Sequence, residues 1–98
     1  MPVQHIVWIK PNKATKTSTI DDILRQVKGL AHSIPEVLAA TTGKNSTDRA
    51  MGCTYGAIVT LKDYAALEFY LVHPEHQQVG SLMRQHCSLL AMDYEHDG

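Results

Sequence analysis

Cysteine is scarce. Cys53 and Cys87 are the two in 98 residues, too few for the disulfide framework of small secreted domains. Neither sign of charge is in excess: nine Lys and Arg stand against ten Asp and Glu, a formal charge of -1. That leaves no basic stripe for a nucleic-acid backbone. No apolar run approaches a membrane span, and the N-terminus lacks the basic segment and long apolar stretch of a secretory signal. The six glycines are scattered, so no phosphate cradle forms, and Gly43 and Gly52 flank a loop instead. Nothing points to nucleotide, flavin or haem, and a cofactor-free protein is expected. What remains is an ordinary globular balance, 44% apolar and 19% charged, read as a single cytoplasmic domain over residues 1–98. A chain of this size buries only about two thirds of its unfolded surface, so association is a common remedy.

The punctuation of the chain is regular. Val3 to Ile9 is rich in β-branched residues and reads as a strand ended by Lys10-Pro11-Asn12. Thr17, Ser18 and Thr19 offer N-caps for a helix whose apolar face is Ile20, Ile23, Leu24, Val27, Leu30 and Ile34; Pro35 ends it near Ser33. Val37 to Thr42 is a second strand, Lys44 to Gly52 a polar loop, and Cys53 to Leu61 the clearest strand. In that strand Tyr55, Ala57, Val59 and Leu61 share one face. Asp63 caps a second helix to about Val72, with Ala66, Leu67, Tyr70 and Leu71 inward, and His73-Pro74 breaks it. A short helix from about Gln78 to Cys87 and a last strand from Leu89 to Tyr94 follow, with a frayed tail from Glu95.

This order is α+β. It predicts a ferredoxin-like four-stranded antiparallel sheet with helices on one face. The first strand is apolar on both faces, with Val3, Val7 and Ile9 on one and Ile6 and Trp8 on the other. One helix layer covers only one of them, and a homodimer with sheets packed together would cover the second.

Several side chains have two readings. His5 shares a face with Val3, Val7 and Ile9: a core or strand-end histidine, or an imidazole reaching a pocket on the open face of the sheet. His73-Pro-Glu-His76 supplies half of a tetrahedral zinc site, which neither cysteine nor a nearby carboxylate completes, so no metal is expected. A junction at Pro74 suits a general base better than a ligand cage. Tyr70, three residues before His73, is a core tyrosine with a rim hydroxyl or a phenol that holds a substrate oxygen, and Tyr55 has the same ambiguity. Trp8 reads as packing, and both cysteines as small buried hydrophobes. Asn45-Ser46-Thr47 matches a glycosylation acceptor but should be inert.

Taken together, His5-Ile-Val-Trp-Ile-Lys10, Ile34-Pro35-Glu36-Val37, the Gly43-Lys44 turn, the aromatic-bearing third strand, Tyr70-Leu-Val-His73-Pro-Glu-His76 and Met92-Asp93-Tyr94 form an ordered set along essentially the whole chain. That set resembles the stress-responsive dimeric α/β-barrel (Dabb) family. The resemblance implies a homodimer whose two sheets pack into a barrel, with a pocket between each sheet and its helices.

Among the family's members, the chain is similar in length and landmarks to a plant polyketide cyclase. That likeness carries the catalytic base onto His76, an assisting tyrosine onto Tyr70 and a pocket histidine onto His5. Tyr55 stands where that enzyme has a histidine, and Val27 where it has a tyrosine. His73, Trp8 and Val59 join these two as expected substrate-lining residues. The implied reaction is a cofactor-independent, aldol-type ring closure of a linear poly-β-keto small molecule. The alternative is a non-catalytic, small-ligand-binding or stress-related structural homodimer. A filled, closed pocket would favour the alternative, and an open apolar cavity ending at His76 the enzyme.

Overall fold

Alternation builds the first strand as expected: Val3, His5, Val7 and Ile9 are buried while Trp8 and Lys10 are exposed. In the computed structural model, which describes residues 1–97, the elements are β1 (Val3–Pro11), α1 (Thr17–Ser33), β2 (Val37–Lys44), β3 (Tyr55–Leu61), α2 (Tyr64–Val72), α3 (Pro74–His86) and β4 (Cys87–Glu95). The four strands form one antiparallel sheet in the order β2-β3-β1-β4. This is the ferredoxin-like α+β arrangement.

The core lies between one sheet face and the helices. Val3, Val7 and Ile9 of β1, with Ala57, Val59 and Leu61 of β3, meet Ile20, Ile23, Val27 and Leu30 of α1 and Leu67 and Tyr70 of α2. Fully burying an aliphatic side chain of this kind contributes about 1.5–3 kcal/mol over leaving it exposed. Leu71, expected inward, is 38% exposed, because Tyr70 already occupies the sheet-facing position beside it.

The barrel expectation is overturned. The sheet is open, and β2 and β4 are its edges, each paired on one side only. They are separated by β3 and β1, about 14 Å at the usual strand spacing. Closing four strands on themselves would leave no interior for side chains, so the chain keeps a twisted open layer.

Boundaries shift for identifiable reasons. Helix α1 begins at Thr17 after Lys16, with no side-chain cap bond. Helix α3 begins at Pro74, four residues before the expected start. Proline at the first helical position loses no hydrogen bond and presets φ, and His73 caps that end by accepting the Glu75 N–H on Nδ1 at 3.2 Å. The tail is not frayed at Glu95, since the His96 N–H donates to the Pro2 carbonyl. Asp63 caps α2 as expected, its Oδ1 accepting the Ala66 N–H at 2.8 Å. Asp63→Ala is expected to cost about 1 kcal/mol in chemical denaturation, with an unchanged slope.

Candidate functional site under the helices

Parity places the site. His5 is the odd member of the inward row on β1, and it lies opposite Val59 of β3 and Asp93 of β4. Its side chain is therefore on the helix-covered face with the core, which favours the first of its two readings over a pocket on the open face. Tyr70 comes down from the last turn of α2 and is 2% exposed. The turn at His73-Pro74 reverses the chain, so His76, in the first turn of α3, comes back over the same spot. The Tyr70 and His76 rings lie 4.4 Å apart, His5 and Tyr70 5.8 Å, and His5 and His76 6.3 Å.

Each ring is held differently. The Leu71 carbonyl, 3.2 Å from Nδ1 of His76, can only accept, so Nδ1 carries the proton and Nε2 of the neutral ring is the free base. Burial lowers the His76 pKa below its ordinary 6.5; the Leu71 bond opposes this, and the charges of His5, Arg84 and His73 reinforce it. His76 is thus a neutral base at pH 7. Burial pushes the Tyr70 phenol up to about 12, so it keeps its proton and can donate. Asp93 Oδ1 lies 2.5 Å from His5 Nδ1, so the carboxylate accepts the Nδ1 proton and leaves Nε2 of His5 as the other nitrogen.

The cavity bounded by these groups is small, about 20 Å³, and is lined with Val27, Leu30, Val59, Val79 and Met83. That is room for one water. Of the expected site residues, the fold brings together His76, Tyr70, His5, Val27 and Val59. It leaves three elsewhere. His73 turns back to cap α3, and Trp8 points to the opposite face of the sheet, 41% exposed. Tyr55 lines a separate hollow with Trp8. Among the described residues no three His, Cys, Asp or Glu side chains converge as a metal site would require.

Asp93, Val79 and Met83 are additions. The signal for Asp93 was available: Leu89, Ala91 and Asp93 alternate with Leu90, Met92 and Tyr94, so the carboxylate falls on the same face as His5.

Residues 3–96 match the family described as Stress responsive A/B Barrel Domain, Dabb, and the chain belongs to it. Among solved structures it is similar to a dimeric ferredoxin-like protein of unknown function from Jannaschia sp. CCS1, at 27% identity, TM-score 0.86, covering 97% of this chain and 99% of that one. It is also similar to hydroxynitrile lyase from Passiflora edulis, at 21% identity, TM-score 0.89, covering 95% and 91%. A third is At3g17210 from Arabidopsis thaliana, at 19% identity, TM-score 0.88, covering 98% and 96%. The last two likenesses carry the fold alone. Among curated proteins none matches.

The lowered His76 pKa has a sign that can be checked. The folded state binds that proton less readily than the unfolded chain, so its contribution is complete above about pH 6.5 and is lost as pH falls from there toward the folded value. Imidazole NMR should show His76 titrating below 6.5. Comparing pH-stability curves, His76→Gln should flatten the loss on acidification below about pH 6.5, where the unfolded chain takes up the proton before the folded one.

Proposed function

We propose that the chain is a cofactor-independent acid–base enzyme that forms an enolate from a small carbonyl compound. Its finer reading is aldol-type ring closure of a linear poly-β-keto substrate. The observation that carries this is the Leu71 carbonyl against Nδ1 of His76: it accepts the Nδ1–H, so Nε2 keeps its lone pair on a ring 4.4 Å from a phenol that stays protonated. A base and a hydrogen-bond donor are thereby paired without either neutralising the other. Likeness in landmarks to olivetolic acid cyclase, a plant polyketide cyclase, supports the same roles for His76 and Tyr70.

In the reaction so read, Nε2 of His76 takes a proton from a methylene between two carbonyls. The C–H electron pair becomes an enolate, whose oxygen is steadied by the Tyr70 hydroxyl. The enolate carbon attacks a distant ketone carbon of the same chain, and the C=O electron pair moves to that oxygen. The His76 imidazolium returns its proton there, so the base is regenerated. Loss of water then aromatises the ring. His5, its Nδ1–H held by Asp93, orients a second part of the chain from Nε2, and polarises a carbonyl there only when Nε2 also carries a proton. Much of the acceleration comes from holding a flexible chain so that one pair of carbons meets. Val27, Leu30 and Met83 line the chamber and would have to give way for a substrate to enter.

The filled chamber of about 20 Å³ is the specific observation in favour of the second reading, a non-catalytic homodimer that binds a small ligand or none. In either reading the partner is a second copy, as the exposed apolar face and the dimeric Jannaschia relative support.

Mass spectrometry of products from linear tri-, tetra- and longer polyketide thioesters separates the two. The enzyme reading expects a cyclised product whose rate falls about 10²–10⁴-fold in His76→Ala and about 10²–10³-fold in Tyr70→Phe. Products identical to the spontaneous ones across the panel favour the non-catalytic dimer.

A further inference from the structure

Strand β4 is an exposed edge that nevertheless carries a site residue. Of its nine residues only Cys87, at the end joined to α3, is buried. The helices cover only its start, so Ala91, Asp93 and Glu95 on its inward side are exposed. On its outward side Leu90 is 55%, Met92 60% and Tyr94 44% exposed. Beyond the ladder to β1, its far end is held by the His96 N–H on the Pro2 carbonyl and by Gln4 Nε2 against His96 Nε2 at 2.9 Å. Beyond Leu89, which packs against the core, the strand has no side chain buried on either face, and such a stretch of edge strand belongs to the least stable part of a fold. Yet Asp93 on this strand is what orients His5.

The outward face offers a means of holding it. Leu90 lies opposite Trp8, Met92 opposite Ile6 and Tyr94 opposite Gln4, so β1 and β4 share one apolar surface. Ile6 and Trp8 stand between two hollows: one of about 260 Å³ against Leu90 and Met92, the other of about 470 Å³ against β3 and the end of β2. Among the outward residues of β1, β3 and β4 the only charged one is Lys10, at the strand's end. A projecting apolar wall flanked by hollows complements its own two-fold copy, and a surface without charge suits a like partner rather than a charged one.

We propose that a second copy of the chain, seated on Leu90, Met92 and Tyr94, is what keeps Asp93 against His5, so that the pair the single chain forms persists only in the dimer. This rests on the homodimer reading above and goes beyond it. It makes three side chains that never touch the cavity into positioning residues, acting through the alternation of one strand. Met92 and Tyr94 point out, Asp93 between them points in, and freedom of the one is freedom of the other.

The test needs no turnover, so its failure is separable from failure of the catalytic reading. In imidazole-labelled wild-type protein, a His5 Nδ1–H resonance is expected that disappears in Asp93→Ala, which removes the acceptor. Leu90→Lys combined with Met92→Lys should give a monomer by sedimentation that keeps its helical circular dichroism and loses the same resonance. As a measurement without substitutions, amide exchange of residues 88–95 in the wild type should accelerate about tenfold or more on dilution to monomer, while residues 55–61 stay protected. If the double variant fails to fold, the dilution experiment decides alone. A wild type that is monomeric with the resonance intact would overturn the proposal. So would a double variant that remains dimeric, a monomeric variant that keeps the resonance, or exchange of residues 88–95 that ignores dilution.

Discussion

Strand β1 is hydrogen-bonded along both edges, to β3 and to β4, so the alternation of its side chains is imposed on the whole sheet. Odd positions from Val3 to Ile9 turn toward the helices and form the floor of the core, while Ile6 and Trp8 turn away. A slip of one residue in either ladder would exchange these sets, burying Trp8 under α1 and α2 and turning His5 outward. The apolar row that anchors the register is the row that contains His5. Site and core are therefore aligned by one constraint, and the imidazole needs no loop to position it.

The residues above that floor divide the work. Tyr70 is both a core side chain and a site group, and its burial is what keeps the phenol protonated. His73 and His76 look alike in sequence, but Pro74 starts a helix between them and gives them unlike tasks. His73 supplies a lone pair to the helix's own N-terminus, and His76 supplies one to the cavity. The pairing of two histidines across a short gap, which suggests a shared metal at first sight, is split by the geometry of a helix start.

How far the chain could be read depended on whether a feature was local. Strand order, the inward face of β3, the Asp63 cap and the convergence of His5, Tyr70 and His76 all follow from periodicity and turn residues, or from landmarks of the family. Three things did not. Pro74 reads as a break, because its effect on the preceding residue is plainer in sequence than its fitness for a first helical position. Asp93 was passed over because a carboxylate near a terminus reads as solvated until the register sets it across from a particular histidine. The barrel was expected from the family resemblance. Strand pairing within the chain leaves both edges unpaired, and no local pattern bears on closure.

The chain's single tryptophan lies on the far side of the sheet from the chemistry. Its indole is shielded from the His76 cavity by the thickness of the backbone layer and stands on the face where a second copy would lie. The molecule thus carries its own optical label for that face alone. Emission from Trp8 registers what covers the outer surface and is blind to what fills the chamber, so two events on opposite sides of one sheet can be followed by separate signals in the same sample.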